Sequence, residues 1–194
     1  MRRAIFMDRD GTVCEEVGYL DRIDRLRLID GSAEAIRLAN EAGFQAVLVT
    51  NQSGVARGLM TEELVGETHD RLRELLADQG ARLDGIYYCP HHPEIGPSRY
   101  RKACDCRKPE PGMLLRARDE MGIDLDRSYV VGDSIRDVGT AERVGATGVL
   151  VLTGHGRGQL EHQPDASTVR PDHVAEDLLD AVCWILAREE GSSS

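Results

Sequence analysis

The sequence predicts an α/β fold: a doubly wound parallel sheet with helices on both faces. Three observations carry that expectation. Five short apolar runs recur, at 4–7, 46–49, 85–88, 129–131 and 149–152. Helical patterns lie between them, so strand and helix alternate. Each run then gives way to polar or glycine-rich chain, as strands do where they leave a sheet.

Run 4–7 holds Ala4, Ile5, Phe6 and Met7, too few for an amphipathic helix and suited to a strand buried on both faces. It leads into Asp8-Arg9-Asp10-Gly11-Thr12, where Gly11 permits a tight turn. A helix over about 32–42 groups Ile36, Leu38 and Ala39 and stops at Gly43, a residue suited to a helix C-terminus. Thr61 is a good N-cap, with Glu62 and Glu63 in the first turn behind it. Leu64, Val65, Thr68, Leu72, Leu75 and Leu76 follow at helical spacing before Gly80. The next helix starts near Pro111, places Met113, Leu114, Ala117 and Met121 on one side, and ends at Gly122. A fourth spans about 135–144 and a last one about 174–188, with Cys183 expected in its core face. Residues 153–172, rich in Gly and Pro, read as a long loop. One domain is expected over 1–188, with 189–194 a disordered tail.

The composition excludes several classes of function. The chain has 194 residues, 41% hydrophobic and 30% charged, an ordinary soluble balance. No apolar run reaches the length of a membrane span, and Met1-Arg2-Arg3 leads straight into the first strand, so no signal peptide and a cytoplasmic location are expected. A net charge of −10 without a basic run disfavours nucleic acid, and it requires a local cationic site for any phosphorylated substrate. Only Lys102 and Lys108 are lysines among 24 basic residues. Five cysteines in a reducing compartment argue against a disulfide framework. His69, His155, His162 and His173 show no partner spacing and are expected in exposed or capping positions.

Parallel strands align their C-terminal ends, where open α/β sheets bind ligands. Asp8 and Asp10 follow the first strand, Thr50-Asn51-Gln52-Ser53-Gly54 the second, Cys89 the third, Gly132-Asp133-Ser134 the fourth and Thr153-Gly154 the fifth. Paired carboxylates at such a rim can share a hard cation such as Mg²⁺, or divide into nucleophile and general acid. Asp133 adds a third carboxylate. Thr50 supplies a hydroxyl, and the 51–54 turn offers backbone N–H groups to phosphate oxygens. Lys108, just before a helix, could neutralise both a carboxylate and an incoming phosphoryl group.

Asp8-x-Asp10-Gly11-Thr12, Thr50, Lys108 and Gly132-Asp133-x-x-x-Asp137, in that order, resemble the four motifs of the haloacid dehalogenase (HAD) superfamily of phosphohydrolases. The resemblance implies a Rossmann-like fold, with Asp8 as the nucleophile that forms an aspartyl-phosphate and Asp10 as general acid, then base. It implies that Thr50 and Lys108 hold the phosphoryl oxygens. Asp8, the backbone carbonyl of Asp10 and Asp133 would ligate Mg²⁺, with Asp137 either a further ligand or a support behind them. Segments 11–30, 52–61 and 89–106 leave no room for a large cap domain.

Cys89-Pro90-His91-His92, followed by Cys104-Asp105-Cys106, is a second metal pattern. Three thiolates and one imidazole complete a closed tetrahedral Zn²⁺ site, which is structural rather than catalytic. His91 is the ligand expected, with His92 the alternative one residue on. Together with Val49-Thr50-Asn51-Gln52-Ser53-Gly54-Val55-Ala56-Arg57-Gly58 and Cys104-Asp105-Cys106-Arg107-Lys108-Pro109, this zinc loop resembles a narrower branch, the heptose-bisphosphate and histidinol-phosphate phosphatases. Gly18-Tyr19 and 51–54 fit the heptose side of it. That resemblance implies a small phosphorylated sugar as substrate, touched by Gly18, Tyr19, Asn51, Gln52 and Ser53 besides the motif residues, and a monomeric enzyme. A bisphosphate needs a second anion site, for which Arg107 and then Arg57 are the candidates.

Overall fold

The computed structural model describes residues 1–162 and 169–191. Six parallel strands form one sheet: β1 (Ala4–Met7), β2 (Gln45–Asn51), β3 (Gly85–Cys89), β4 (Tyr129–Gly132), β5 (Thr147–Val151) and β6 (His173–Ala175). Their order is β3-β2-β1-β4-β5-β6. The connections run outward in opposite directions from β1 and β4, so a crevice opens between the ends of those two strands. Asp8 N–H donates to the Val131 carbonyl at 3.0 Å, which fixes the start of that crevice.

The helices are α1 (Ser32–Glu41), α2 (Glu62–Ala77), α3 (Gly112–Met121), α4 (Ile135–Glu142), α5 (Gly156–Glu161) and α6 (Leu178–Gly191). Alternation along β1 divides the core. Ile5 and Met7 join Ile36, Leu48, Leu72 and Ile185 on one face; Ala4 and Phe6 join Val47, Val49, Leu114 and Val130 on the other. Every residue of β1 and β4 is buried, as the interior of a sheet covered on both sides requires.

Several expectations change. Helix α5 is not legible in the loop read over 153–172, because it opens with Gly156-Arg157-Gly158, poor helix-forming chain. The last helix starts at Leu178 rather than near 174, because His173–Ala175 pairs with β5 as the three-residue strand β6. Residues 163–168 of that loop lie outside the described residues. The last helix continues through Gly191, because Glu189 accepts from Tyr129 Oη at 2.7 Å and pairs with Arg3; only 192–194 of the expected tail lie outside the described residues. Cys183 is exposed, since α6 buries Leu178, Ala181, Val182 and Ile185 and residue 183 falls off that stripe. His69 is buried with Val65, Thr68, Leu72 and Leu76, on the inner stripe of α2. His173 stacks on Trp184 with ring centroids 4.2 Å apart.

Candidate active site

A pocket of about 330 Å³ opens at the C-terminal ends of β1, β2 and β4. It brings together Asp8, Asp10, Gly18, Tyr19, Thr50, Asn51, Gln52, Ser53, Lys108 and Asp133 from the sequence-derived set. Arg57 and Arg107 do not line it: Arg107 Nη1 donates to the His91 carbonyl at 3.1 Å, and Arg57 Nη2 lies 3.2 Å from His92 Nε2. Glu16, Arg136, His155 and Gln159 line the pocket although no sequence pattern singled them out. Arg136 could have been noticed, because it stands inside the Asp133-x-x-x-Asp137 motif, three residues after Asp133 and directly before Asp137.

Lys108 is the hub. The residue is 3% exposed; its ammonium lies 3.0 Å from Asp8 Oδ1 and 2.6 Å from Asp137 Oδ1, and it donates to the Val49 carbonyl at 2.8 Å. Burial pushes its pKa down, but Asp137 and Asp8 outweigh that and hold it above the ordinary lysine value. Asn51 grips the same residue by its backbone, accepting from Lys108 N at 3.1 Å and donating to Lys108 O at 3.2 Å. Asp137 also takes the Ser134 N–H at 3.1 Å, closing the capping box of α4. Gly132 makes this possible, because a Cβ there would stand 2.2 Å from Asp137 Oδ2.

Asp133 is wedged between two glycines. A Cβ on Gly11 would fall 2.1 Å from Asp133 Oδ2, and one on Gly154 2.2 Å from it. Both have positive φ, 77° and 54°, so they are glycine positions twice over. The His155 N–H donates to the same Oδ2 at 2.8 Å, and Thr153 Oγ1 donates to the Gly11 carbonyl at 2.6 Å. Burial drives the Asp133 carboxyl up to about 7 and the Asp8 carboxyl up to about 6, with neighbouring carboxylates adding to both. Carboxylate oxygens of Asp8, Asp133 and Asp137 all lie within 4.8 Å of one another. Buried anions this close suit a hard divalent cation with oxygen ligands. The Asp10 carboxylate lies outside this trio but still lines the pocket, held there by Arg9 and Gln52.

The second cluster holds Cys89 from β3 and His91, Cys104 and Cys106 from the segment beyond it. Cys104 Sγ lies 3.5 Å from Cys89 Sγ and 3.4 Å from Cys106 Sγ, while His91 Nδ1 is 3.3 Å from Cys106 and 3.7 Å from Cys89. Cys106 Sγ also lies 2.9 Å from Cys89 Sγ. A zinc–sulfur bond of about 2.3 Å implies sulfur–sulfur edges near 3.8 Å, so the four ligand atoms converge on one point but stand closer together than they would around a zinc ion. Hydrogen bonding from Cys89 pulls the Cys106 thiol down to about 5, while the Cys89 thiol is pushed up by Cys106 and by burial. His92 is committed elsewhere: its Nδ1 accepts from the N–H groups of Glu94 and Ile95, both at 3.1 Å.

Asp8 paired with a buried lysine, beside a carboxylate nest at the crevice between β1 and β4, is the arrangement of the HAD-like hydrolases. Residues 105–181 match the HAD-hydrolase-like family model. A D-glycero-beta-D-manno-heptose-1,7-bisphosphate 7-phosphatase of Yersinia pestis is 51% identical over 153 residues, covering 78% of this chain and 81% of the relative. The enzyme of that name from Escherichia coli (strain K12) is 50% identical, with 78% and 80% covered. A crystal structure of D,D-heptose 1.7-bisphosphate phosphatase from B. bronchiseptica, complexed with magnesium and phosphate, superposes with a TM-score of 0.84 at 35% identity, over 96% of this chain and 99% of that one. The chain therefore belongs to the heptose-bisphosphate phosphatase family of HAD-like hydrolases, and it is a phosphatase.

Proposed function

We propose that this enzyme removes the C7 phosphate of D-glycero-D-manno-heptose 1,7-bisphosphate through a phosphoenzyme on Asp8, as a step of nucleotide-activated heptose biosynthesis. The observation that carries the chemistry is the Lys108 ammonium 3.0 Å from Asp8 at the pocket floor, where it offsets the charge of both nucleophile and phosphoryl group. Identity near 50% to enzymes named for that sugar supports the substrate.

In this reading an Asp8 carboxylate oxygen attacks phosphorus in line. The bond from phosphorus to the sugar oxygen breaks, and the proton on Asp10 passes to that departing oxygen. Asp10 then takes a proton from water, which attacks the aspartyl-phosphate, releases inorganic phosphate and restores Asp8. Thr50 and Lys108 donate to the phosphoryl oxygens. Asp8, Asp133 and the Asp10 carbonyl would hold Mg²⁺, which when bound neutralises phosphate charge. Asp137 anchors Lys108 from behind. Gly18, Tyr19, Asn51 and Ser53 surround the sugar at the pocket wall, with Gln52 buried beneath them. The far phosphate meets Arg136 at the rim, with Arg107 and Arg57 outside the pocket but near enough to act on one another's charge. These three cations share one field: burial, then Arg136 and Arg57, lower the Arg107 pKa. Cys89, His91, Cys104 and Cys106 bind one structural Zn²⁺.

No described helix is long and apolar enough to cross a membrane. We place the enzyme in the cytoplasm as a monomer of one domain, acting on a small phosphorylated sugar without nucleic-acid or membrane partners. The test is phosphate release with Mg²⁺ from both anomers of the heptose bisphosphate and from histidinol phosphate. The heptose bisphosphate, cleaved at C7, should have the highest kcat/KM, and Asp8→Asn should abolish turnover. A preference for histidinol phosphate would reassign the substrate; normal turnover by Asp8→Asn would remove the phosphoenzyme.

A further inference from the structure

We propose that Arg9 is a positioning residue which, acting through the side-chain amide of Gln52, aims Asp10 and Thr50 at the bond being cleaved. The proposal rests on the reading of Asp10 as the acid that protonates the leaving oxygen. Arg9 follows the nucleophile directly, yet its side chain points inward and is 1% exposed. Nε donates to Asp10 Oδ1 at 2.9 Å and Nη2 to Asp10 Oδ2 at 2.8 Å, a two-pronged grip on one carboxylate. The same Nη2 donates to Gln52 Oε1 at 3.0 Å. Gln52 Nε2 donates in turn to Asp10 Oδ2 and to Thr50 Oγ1, each at 2.9 Å.

The chemistry of the donors makes this set directional. A guanidinium can only donate, so the Gln52 oxygen must face Arg9 and its NH₂ must face Asp10 and Thr50. A flipped amide would set N–H against guanidinium and carbonyl against carboxylate. Thr50 Oγ1, having accepted from Gln52, is left to point its own proton elsewhere, and Thr50 lines the pocket where the phosphoryl oxygens sit. Gln52, 4% exposed, thus commits both ends of its amide to neighbours rather than to the sugar.

Leaving-group dependence separates positioning from mere support of the fold. An alkyl phosphate needs its leaving oxygen protonated, whereas p-nitrophenyl phosphate expels a phenolate without help. The parameter kcat/KM ends at the first irreversible step, loss of the alcohol, so later hydrolysis of the phosphoenzyme does not enter. Gln52→Leu and Arg9→Met should each lower kcat/KM for the heptose bisphosphate by about 100-fold or more, the scale of lost general-acid catalysis. The aryl phosphate should lose less than about tenfold by the same measure. The ratio of the two does not depend on how much of a preparation is folded, and Gln52→Leu serves if Arg9→Met does not fold. Equal losses on both substrates, or none, would overturn the proposal. A wild-type protein active on a simple alkyl phosphate but not on the heptose bisphosphate would count against the proposed substrate alone, and the comparison would then be made with that alkyl phosphate.

Discussion

His69 should make this protein acid-sensitive, and by a calculable amount. Its ring is 5% exposed, meets Tyr88 edge-on with centroids 5.7 Å apart, and leaves Nε2 without a hydrogen-bond partner. Burial is the largest cause that lowers its pKa from 6.5 to about 3; the Arg9 and Arg73 charges push the same way, and Asp10 opposes them weakly. The folded protein therefore holds His69 neutral, while the unfolded chain protonates it below about pH 6.5. Stability from this group is complete above 6.5 and is lost as pH falls toward 3. Between about pH 7.5 and pH 5 the loss comes to roughly 2 kcal/mol. With a urea slope of about 2 kcal/mol/M, the midpoint should drop by about 1 M. His69→Leu keeps an apolar occupant and removes the titration. Urea unfolding of both proteins at the two pH values measures the difference, and other acid-labile groups cancel between them. If wild type and variant lose stability in parallel, His69 protonates as readily folded as unfolded, and the burial reasoning fails.

Lys108→Met should abolish turnover and cost about 3–5 kcal/mol in chemical unfolding, because it strands the Asp8 and Asp137 carboxylates without a counter-charge. Adding Asp137→Leu should recover part of that stability but none of the activity. Elemental analysis should find about one equivalent of zinc in protein prepared without chelators, and Cys104→Ser should lower both zinc content and unfolding midpoint; less than about half an equivalent in the wild type would refute the closed site. Asp133, raised from 3.8 to about 7, favours its protonated form in the metal-free fold. Metal-free protein should then lose stability as pH climbs from about 4 through 7, and Mg²⁺ should raise Tm more at about pH 8 than at about pH 6. Asp133→Asn should flatten both responses.

The features legible in the sequence obey a physical division. Strand ends are written locally: a buried run must be apolar, and the polar chain just beyond it stands out by contrast, so Asp8, Thr50 and Asp133 could be placed on one rim before any coordinates. Cysteine and histidine spacing discloses the second cluster for the same reason, since its four ligands sit in two tight pairs. The structure then favours His91 over His92, a choice of one residue that only the path of the loop decides. Side-chain direction is not local. Arg9 looks like a surface arginine in a turn but is buried by Asp10 and Gln52. His69 lies on the α2 stripe between Val65 and Leu72 and is buried with it, whereas Cys183 lies one position from buried Val182 and is exposed. Arg57 and Arg107 share the right neighbourhood yet turn toward the zinc-loop histidines instead of the pocket. Helix α5 is hidden because its first glycine serves close approach, not helix propensity: a Cβ on Gly156 would stand 1.7 Å from the Val151 carbonyl oxygen.

The glycine pair around Asp133 has a bearing on redesign. Anyone randomising the segment after β5 to accept a different sugar would find polar, weakly patterned chain, which invites wholesale replacement. His155 and Gln159 can be varied there, because they face the pocket from the outside. Gly154 cannot, nor can Gly11 on the opposite flank, since a methyl group on either would displace the carboxylate between them. A library that spares those two positions explores specificity; one that includes them mostly samples broken enzymes.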